Sequence, residues 1–315
     1  MFDIVLLALD GQKVDTILWM EREVYQMEYT TLNNGLQMPL EGFGVFQVRD
    51  KEECKQSVLE AIKAGYRLID TAASYTNEDA VGEAVKEAIR EGICTREELF
   101  ITSKMWVQDM KDYDSAKKAI DASLQKCGLE YLDLYLLHQA MGDYFSAYRA
   151  MEDAYKEGKL KAIGVSNFYP HTLVNFCSFV EIPPMVNQVE LHPFFAQPHA
   201  LEIMKEYHVQ AEAWAPLGGG RYDAFNNEVL KEIASKHNKN IGQVMLRWNV
   251  QRGVVVIPKS THVERIQENI DIWDFALSEE EMNQISSLDK GYVGTAVKHF
   301  DTDFAKMVVS RRIHD

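Results

Sequence analysis

Short apolar segments alternate with helical patterns along most of the chain. Eight segments of three to six mainly apolar residues have the length of buried strands. They lie at 42–46, 67–70, 99–102, 132–137, 160–165, 185–187, 209–213 and 254–257. Between them, apolar residues recur every three or four positions, as on one face of a helix. The alternation predicts parallel strands joined by helices, and eight such units close into a (β/α)₈ TIM barrel.

An open, doubly wound sheet is the main alternative to the barrel. That fold places a glycine-rich, phosphate-binding turn directly after its first strand. Here Gly42-Phe43-Gly44 supplies two glycines, without a third at the required position and without a helix that begins there. The barrel is therefore the favoured fold.

Polar residues that can accept hydrogen bonds from the first turn of a helix precede several of the helical patterns. Two of these positions also have the spacing of a capping box, in which a glutamate three residues later bonds back to the cap. The predicted caps are Asp50, Asn77, Thr261 with Glu264, and Ser278 with Glu281.

The N-terminal part contains one clear signal and one ambiguous segment. Residues 29–38 have two short strands around Asn33-Asn34-Gly35, which predicts a β-hairpin. Residues 1–26 carry no candidate chemistry, and they either form a further hairpin around Asp10-Gly11 or are an upstream extension. We therefore divide the chain into an N-terminal extension of uncertain structure, 1–26, and a single barrel domain, 27–315.

The composition argues against several classes of protein. Of the 315 residues, 46% are apolar and 26% are charged, as in ordinary soluble domains. The net charge of −15 argues against nucleic acid or an anionic membrane as a partner. The longest apolar run, 4–9, is too short to cross a bilayer and lacks the basic flank of a signal peptide.

Cysteine and histidine spacing gives no sign of a metal site. The four cysteines lie far apart without a CxxC pair, which fits a reducing cytoplasm. The nine histidines form no HxH or HExxH pair, so no metal ligands are predicted.

Polar side chains end the predicted strands at the rim where barrel enzymes hold their active sites. Asp70, Lys104 and His138 each end a strand, and Tyr75 lies in the loop after Asp70. A structural ion pair is one explanation for Asp70 and Lys104, since buried charges are rarely tolerated without a partner. A hydrogen-bonded core histidine is the ordinary explanation for His138 alone. Their convergence at one rim favours a joint catalytic role.

The four side chains suit acid catalysis on a carbonyl oxygen. A phenol has an unperturbed pKa of about 10, and a lysine ammonium nearby is expected to lower it by roughly 1–3 units. Asp70 would hold Lys104 charged and oriented, and His138 could hydrogen-bond the carbonyl oxygen. The set could protonate an oxygen that gains negative charge as a hydride reaches its carbon.

Long motifs in a fixed order resemble those of the aldo-keto reductase family, from about Tyr29 to the C-terminus. They are NNGLQMPLEGFG, RLIDTAASYTNE, FITSKMW, DLYLLHQ, IGVSNF, NQVELHP, AWAPLG and VVIPKSTHVERIQEN. The chain looks most like bacterial members of the diketogluconate and glyoxal reductase type. The resemblance implies a (β/α)₈ barrel with a hairpin across its bottom. It also implies a catalytic tetrad formed by Asp70, Tyr75, Lys104 and His138.

The same resemblance implies NADP(H) as the cofactor, bound across the mouth of the barrel. Ser166, Asn167 and Gln188 would hold the nicotinamide carboxamide, and the indole of Trp214 would stack on the ring.

Further cofactor contacts are implied along the rim and after the last strand. Lys259, Ser260 and Arg265 would hold the adenosine 2′-phosphate near the start of a helix. The remaining contacts implied by the resemblance are Val45, Asp70, Leu217, Gly218, Glu268 and Asn269.

The resemblance also implies a substrate pocket. Phe46 and Gln139 stand where many members carry larger aromatic residues, so the pocket is expected to be of mixed polarity. The segment after Trp273 is short, so the loop that shapes substrate choice is expected to be reduced and the pocket open. The implied lining is Phe46, Tyr75, Trp106, His138, Gln139 and Met141.

These observations together predict a monomeric, cytoplasmic, NADPH-dependent reductase that converts small-molecule aldehydes and ketones to alcohols. The alternative is a nicotinamide-cofactor-sensing binding subunit with weak reductase activity, similar to the potassium-channel β subunits that share this fold. A metal-dependent barrel hydrolase is disfavoured because paired histidine ligands are absent from the sequence.

Overall fold

A computed structural model of the protein describes residues 27–295 and 297–315, and the predicted extension at 1–26 lies outside the described residues. The first described element is an antiparallel hairpin of β1 (Tyr29–Thr31) and β2 (Gln37–Pro39). The hairpin predicted from the sequence is thus confirmed.

Eight parallel strands follow and form one sheet in chain order. They are β3 (Gly42–Gly44), β4 (Leu68–Asp70), β5 (Phe100–Met105), β6 (Leu134–Leu137), β7 (Ile163–Ser166), β8 (Val186–Glu190), β9 (Gln210–Trp214) and β10 (Val255–Val256). Backbone pairing between Glu41 and Val256 joins the last strand to the first. The amide of Val256 donates to the carbonyl of Leu40 over 3.0 Å. The sheet closes on itself, as the predicted (β/α)₈ barrel requires.

Helices connect the strands on the outside of the barrel and continue after β10. Their bounds are α1 (Lys51–Ala64), α2 (Glu78–Arg90), α3 (Tyr113–Cys127), α4 (Tyr144–Lys156), α5 (Pro170–Cys177), α6 (Pro198–Glu206), α7 (Glu228–Lys236), α8 (Ile241–Gln251), α9 (Val263–Ile270), α10 (Glu279–Ser286) and α11 (Thr302–Ser310). Parallel strands need such crossovers because each connection must return the chain to the opposite end of the sheet. All the strands therefore end at the same rim.

Two of the predicted helix caps are confirmed. Asp50 precedes α1, and its carboxylate accepts from the amide of Glu53 over 2.8 Å. Ser278 and Glu281 form the reciprocal hydrogen bonds of a capping box at α10.

The other two predicted caps are wrong. Asn77 does precede α2, but its amide nitrogen donates to the carbonyls of Val45 and Val48 at 3.1 and 3.0 Å. Its side chain therefore links the loop after β4 to the loop after β3 and does not cap the helix. At α9 no side chain caps the helix, because the helix begins only after His262 and Thr261 lies one residue too early.

The interior strands are buried on both faces. Every residue of β4 to β8 is buried, including the polar residues of β5 and β8. The charged residues of these five strands are Asp70, Lys104 and Glu190, and each needs a partner inside the barrel.

Deleting residues 1–26 should leave the folded domain intact, because the hairpin and all eight barrel strands begin at Tyr29 or later. The truncated protein should keep its circular dichroism spectrum, and its thermal midpoint should move by no more than about 2–4 °C. An insoluble or inactive truncated protein would show instead that residues 1–26 belong to the domain.

Candidate active site

A buried lysine joins two residues at the rim of the barrel. Lys104 on β5 is fully buried, and its Nζ donates to Asp70 Oδ1 over 2.6 Å. The same ammonium donates to the carbonyl of Thr71 at 2.9 Å and to the Tyr75 hydroxyl at 3.4 Å. These acceptors use all three donors of the ammonium group. Asp70 and Tyr75 are thereby fixed on either side of Lys104.

Burial and charge have opposite effects on these groups. Burial lowers the pKa of Lys104, but the charge and hydrogen bond of Asp70, together with Tyr75 and Glu212, raise it by more, so the ammonium stays charged. Burial raises the pKa of Tyr75, and the Lys104 charge offsets this only in part. Lys104 thus lowers the pKa of Tyr75 as predicted, but burial raises it by more, so the net pKa lies above its ordinary value. The phenol is protonated throughout the neutral range.

His138 directly follows β6 and faces the same group. Its Nδ1 lies 3.2 Å from Ser74 Oγ, and its ring centroid lies 5.5 Å from that of Tyr75 and 5.3 Å from that of Trp106. Burial, assisted by the Lys104 charge, lowers the pKa of His138 well below its usual range. The ring is therefore neutral near pH 7 and carries a single N–H donor.

A continuous chain of hydrogen bonds links four residues that the resemblance assigns to the nicotinamide. Ser166 Oγ donates to the backbone carbonyl of Gln188 over 2.8 Å. Asn167 Nδ2 donates to Ser166 Oγ at 3.0 Å and to the carbonyl of His138 at 3.1 Å. Trp214 Nε1 donates to Asn167 Oδ1 at 2.9 Å. The chain fixes the Trp214 indole at the rim.

The side chain of Gln188 extends this network to Glu212, a residue that the sequence motifs did not single out. Gln188 Nε2 donates to Asp70 Oδ2 and to Glu212 Oε2, both at 2.9 Å. Glu212 on β9 is fully buried, and its Oε1 has no hydrogen-bond partner among the described residues. Burial and the charge of Asp70 raise the pKa of Glu212 to about 8. The available signal was an acid between two small residues, Ala211 and Ala213, inside a predicted strand.

Two cations that the resemblance assigns to a phosphate lie beyond β10. Lys259 and Arg265 are exposed, and within the described parts of the chain neither has a hydrogen bond or an ion pair. Ser260 between them is buried, and its Oγ accepts from the amide of His262 at 3.1 Å. Both cations are thus available to a ligand at the start of α9.

Other predicted cofactor contacts meet near the start of α8. A Cβ placed on Gly242 would lie 3.8 Å from Leu217 Cδ2 and 3.8 Å from Asn269 Oδ1, so these two residues flank the same point. Glu268, next to Asn269, accepts from Asn240 Nδ2 at 3.2 Å. The structure therefore brings the Leu217 loop and α9 to one place.

Val45 and Gly218 have little polar surface to offer a ligand. Val45 is fully buried, its amide donates to the carbonyl of Asp70, and its carbonyl accepts from Asn77. Gly218 has a φ of 74°, and its amide donates to Ala215 within its own turn. Their cofactor contacts remain predictions, and any such contact would be mainly apolar.

The predicted substrate pocket has one exposed side and one buried side. Phe46 is 51% exposed, with its ring centroid 5.0 Å from that of Tyr75. Trp106 and Gln139 are buried, and Gln139 Oε1 finds no partner among the described residues. Met141 packs beside Trp106 and is partly buried.

The C-terminal segment covers the Trp106 side of this pocket. We call residues 291–295 and 297–315 the C-terminal strap. Trp106 Nε1 donates to the carbonyl of Arg311 at 2.9 Å, and Val308 of α11 packs against Trp106. The Arg311 guanidinium donates to the carbonyl of Ser74 at 3.0 Å. The short C-terminal segment thus reaches the rim and covers the Trp106 side, whereas Phe46 stays exposed on the other side, and an open pocket remains a prediction for that side.

Comparison with known proteins identifies the family. Residues 42–290 match the sequence profile described as the Aldo/keto reductase family. The chain belongs to the aldo-keto reductase family.

Relatives of this aldo-keto reductase include two named bacterial enzymes. It is 50% identical over 260 residues to the glyoxal reductase of Bacillus subtilis (strain 168), which covers 82% of this chain and 92% of the relative. It is 41% identical over 263 residues to the methylglyoxal reductase of Escherichia coli (strain K12), with 82% and 93% covered. The predicted resemblance to bacterial members of the glyoxal reductase type is confirmed.

Solved structures confirm the predicted fold. The crystal structure of the Bombyx mori aldo-keto reductase in complex with NADP is 34% identical, with a TM-score of 0.83 over 89% of this chain and 97% of that one. An aldo-keto reductase from a deep-sea metagenome library is 43% identical, with a TM-score of 0.80 over 83% and 95%.

Replacing Glu212 by Gln should change the pH dependence of stability. The folded-state pKa of about 8 lies above the ordinary value of 4.5, so ionisation of Glu212 is disfavoured in the folded protein. The stability linked to this group is fully present below pH 4.5 and is lost as the pH rises to 8. The unfolding free energy of Glu212→Gln minus that of wild type should rise by about 1.4 kcal/mol per pH unit in this window.

Urea unfolding at several pH values measures this difference. Glu279→Gln makes the same change at an exposed position of α10 and should give a flat difference. A flat difference for Glu212→Gln as well would show that Glu212 ionises at an ordinary pKa.

Proposed function

We propose that this aldo-keto reductase reduces aldehydes and ketones to alcohols with NADPH, with Tyr75 as the proton donor. The observation that carries the proposal is the Asp70–Lys104–Tyr75 series of hydrogen bonds at the rim. Family membership confirms the predicted reaction class, an oxidoreductase acting on carbonyl compounds, and NADP(H) as its cofactor.

The residues at the rim fit this cofactor. Lys259 and Arg265 are unpaired among the described residues of a chain with a net charge of −15, and they flank the start of a helix. Such a place suits a phosphate, which forms charge-assisted hydrogen bonds with cations. The fixed indole of Trp214 offers a flat face for the nicotinamide ring. When bound, NADPH supplies the hydride.

Tyr75 gives its proton to the carbonyl oxygen as that oxygen gains negative charge. The Lys104 ammonium lies 3.4 Å from the phenol oxygen, so it stabilises the phenolate that remains. Asp70 keeps the ammonium in place from the other side at 2.6 Å. Burial makes the phenol a weaker acid, and Lys104 reduces this penalty at the moment of proton transfer.

His138 acts as a hydrogen-bond donor that orients the carbonyl group. The Ser74 hydroxyl lies 3.2 Å from Nδ1, and if it donates there the proton of the neutral ring sits on Nε2. Nε2–H can then donate to the carbonyl oxygen beside Tyr75. A neutral donor suits this role because it stays protonated without competing with Tyr75 for the proton transfer.

The reductase is favoured over a cofactor-sensing binding subunit. The relatives described above are named as glyoxal and methylglyoxal reductases, and the complete tetrad is present at the rim. By analogy with these relatives, we propose small 2-oxoaldehydes as substrates. The covered Trp106 side of the pocket supports compact substrates over bulky ones.

Assembly and location remain predictions. We propose a monomer in the cytoplasm, which light scattering and fractionation would test. Within residues 27–295 and 297–315, no helix is both long and apolar enough to span a membrane.

Tyr75→Phe should lower kcat/KM for methylglyoxal by about 10²–10⁴-fold, as expected for loss of a general acid. The ring and its contact with Phe46 are kept, so NADPH binding measured by tryptophan fluorescence should be retained.

Tyr113→Phe is the matched control for this change. It removes the same hydroxyl group from α3, where the phenol donates to Asp153 at 2.8 Å. Its turnover should equal that of wild type. Near-normal turnover by Tyr75→Phe would show that another group donates the proton.

Arg265→Ala should weaken NADPH binding by about ten- to a hundredfold, because a hydrogen bond to a charged group contributes roughly 1.5–3 kcal/mol. NADH lacks the 2′-phosphate, so its dissociation constant should stay nearly unchanged. Turnover at saturating NADPH should be largely preserved, since the chemistry occurs at the nicotinamide end.

Arg90→Ala controls for the change in net charge. Arg90 ends α2, far along the helix from the rim, and its side chain is 73% exposed. It should leave both dissociation constants as they are. Equal weakening of NADH and NADPH by Arg265→Ala would place the phosphate elsewhere.

A further inference from the structure

Two carboxyl groups hold one end of the Gln188 side-chain amide. Gln188 Nε2 lies 2.9 Å from Asp70 Oδ2 and 2.9 Å from Glu212 Oε2. The strand register supports this arrangement, because Gln188 on β8 pairs directly with Glu212 on β9. No described residue donates to Gln188 Oε1, the other end of the amide.

The two carboxyl groups determine which way the amide points. An amide nitrogen only donates and an amide oxygen only accepts. Turning the amide by 180° would bring its oxygen against Asp70 Oδ2 and Glu212 Oε2 and would lose both hydrogen bonds. Asp70 cannot move away, since Lys104 holds its other oxygen at 2.6 Å. The nitrogen therefore stays inside, and Oε1 is the free end.

Glu212 is needed for this clamp because an amide nitrogen carries two hydrogens. Asp70 accepts one of them, and Glu212 accepts the other. Packing alone does not explain an acid here, since a buried carboxyl group with an unpartnered oxygen costs free energy that a leucine would not. The proton transfer from Tyr75 does not use Glu212 directly either.

We infer that Glu212 is a positioning residue: with Asp70, it presents the Gln188 carbonyl oxygen to the nicotinamide so that this oxygen accepts an N–H of the carboxamide. The inference rests on the proposed function, because it requires the nicotinamide to bind beside Gln188. By this inference, the buried side chain of Glu212 contributes to recognition of the nicotinamide carboxamide.

The test compares NADPH with its reduced 3-acetylpyridine analogue. The analogue keeps the carbonyl oxygen but carries a methyl group in place of the NH₂, so it cannot donate to Gln188. Dissociation constants for both are measured by quenching of tryptophan fluorescence, without turnover. The proteins are wild type, Gln188→Leu, Glu212→Gln and Glu212→Leu.

The measured quantity is the ratio of the dissociation constant of the analogue to that of NADPH. This ratio should be roughly three- to tenfold larger for wild type than for Gln188→Leu, because one hydrogen bond contributes about that factor. Glu212→Gln keeps an acceptor oxygen in the same place and should retain the wild-type ratio. Glu212→Leu leaves one N–H of Gln188 unpaired, and only Asp70 then holds the amide nitrogen. Its ratio should therefore fall clearly below that of wild type, towards that of Gln188→Leu.

Three results would overturn the inference. An unchanged ratio in Gln188→Leu would show that Gln188 does not accept from the carboxamide. A wild-type ratio in folded Glu212→Leu would show that Glu212 does not orient Gln188. A loss in Glu212→Gln as large as in Glu212→Leu would show that an acceptor oxygen at position 212 does not hold the Gln188 amide.

Two further results are distinguishable from these. Wild-type protein that fails to bind NADPH would refute the proposed function itself. If Glu212→Leu does not fold by circular dichroism, Glu212→Met takes its place, since methionine is unbranched like glutamate and lacks the carboxyl group. The ratio of the two dissociation constants in Glu212→Met is then compared with the ratios in wild type and Gln188→Leu.

Discussion

The Lys104 ammonium and the Asp70 carboxylate form an ion pair inside the barrel, with side-chain exposures of 0% and 2%. Replacing such a pair by apolar side chains is often neutral or stabilising, whereas removing one partner costs roughly 3–5 kcal/mol. Stability alone therefore does not explain why the pair is present. The proposed proton transfer gives a reason, because the Tyr75 hydroxyl is the third contact of the ammonium and a nearby positive charge stabilises a phenolate.

Closure of a parallel sheet makes this arrangement possible. Asp70 pairs with Thr102, and Lys104 lies two residues further along β5 on the same face. The same geometry sets Ser166 beside Gln188 and Gln188 beside Glu212 on consecutive strands. Residues paired across neighbouring strands thus include both Asp70 and Lys104, which hold the proposed proton donor, and the network around Gln188.

The sequence predicted the strands and the four rim residues because these signals are local. A short apolar run that leads into polar residues marks a strand end: Asp70 ends β4, Lys104 lies one residue before the end of β5, and His138 directly follows β6. Such local signals did not indicate that Glu212 belongs to the site. Its neighbours at hydrogen-bonding distance come from another strand, and only the barrel register brings Gln188 to it.

The sequence also could not predict properties that depend on the balance between two opposing effects. The lysine beside Tyr75 was predicted, but the degree of burial decides the net direction of the phenol pKa. Asn77 occupies its predicted position before α2, yet two backbone carbonyls from a neighbouring loop are better placed to receive its side chain. Local propensity identified the position, and tertiary contacts determined the role.

The C-terminal strap contacts the wall of the proposed substrate pocket from outside the barrel interior. Arg311 receives the Trp106 N–H on its backbone and donates from its side chain to Ser74, the neighbour of Tyr75. Few strap residues are buried, whereas Asp70, Lys104 and Glu212 lie inside the closed sheet. Segments with little buried surface tolerate change at low cost to global stability. Substitutions in the strap can therefore reshape the pocket wall while the buried ion pair and its partners stay in place.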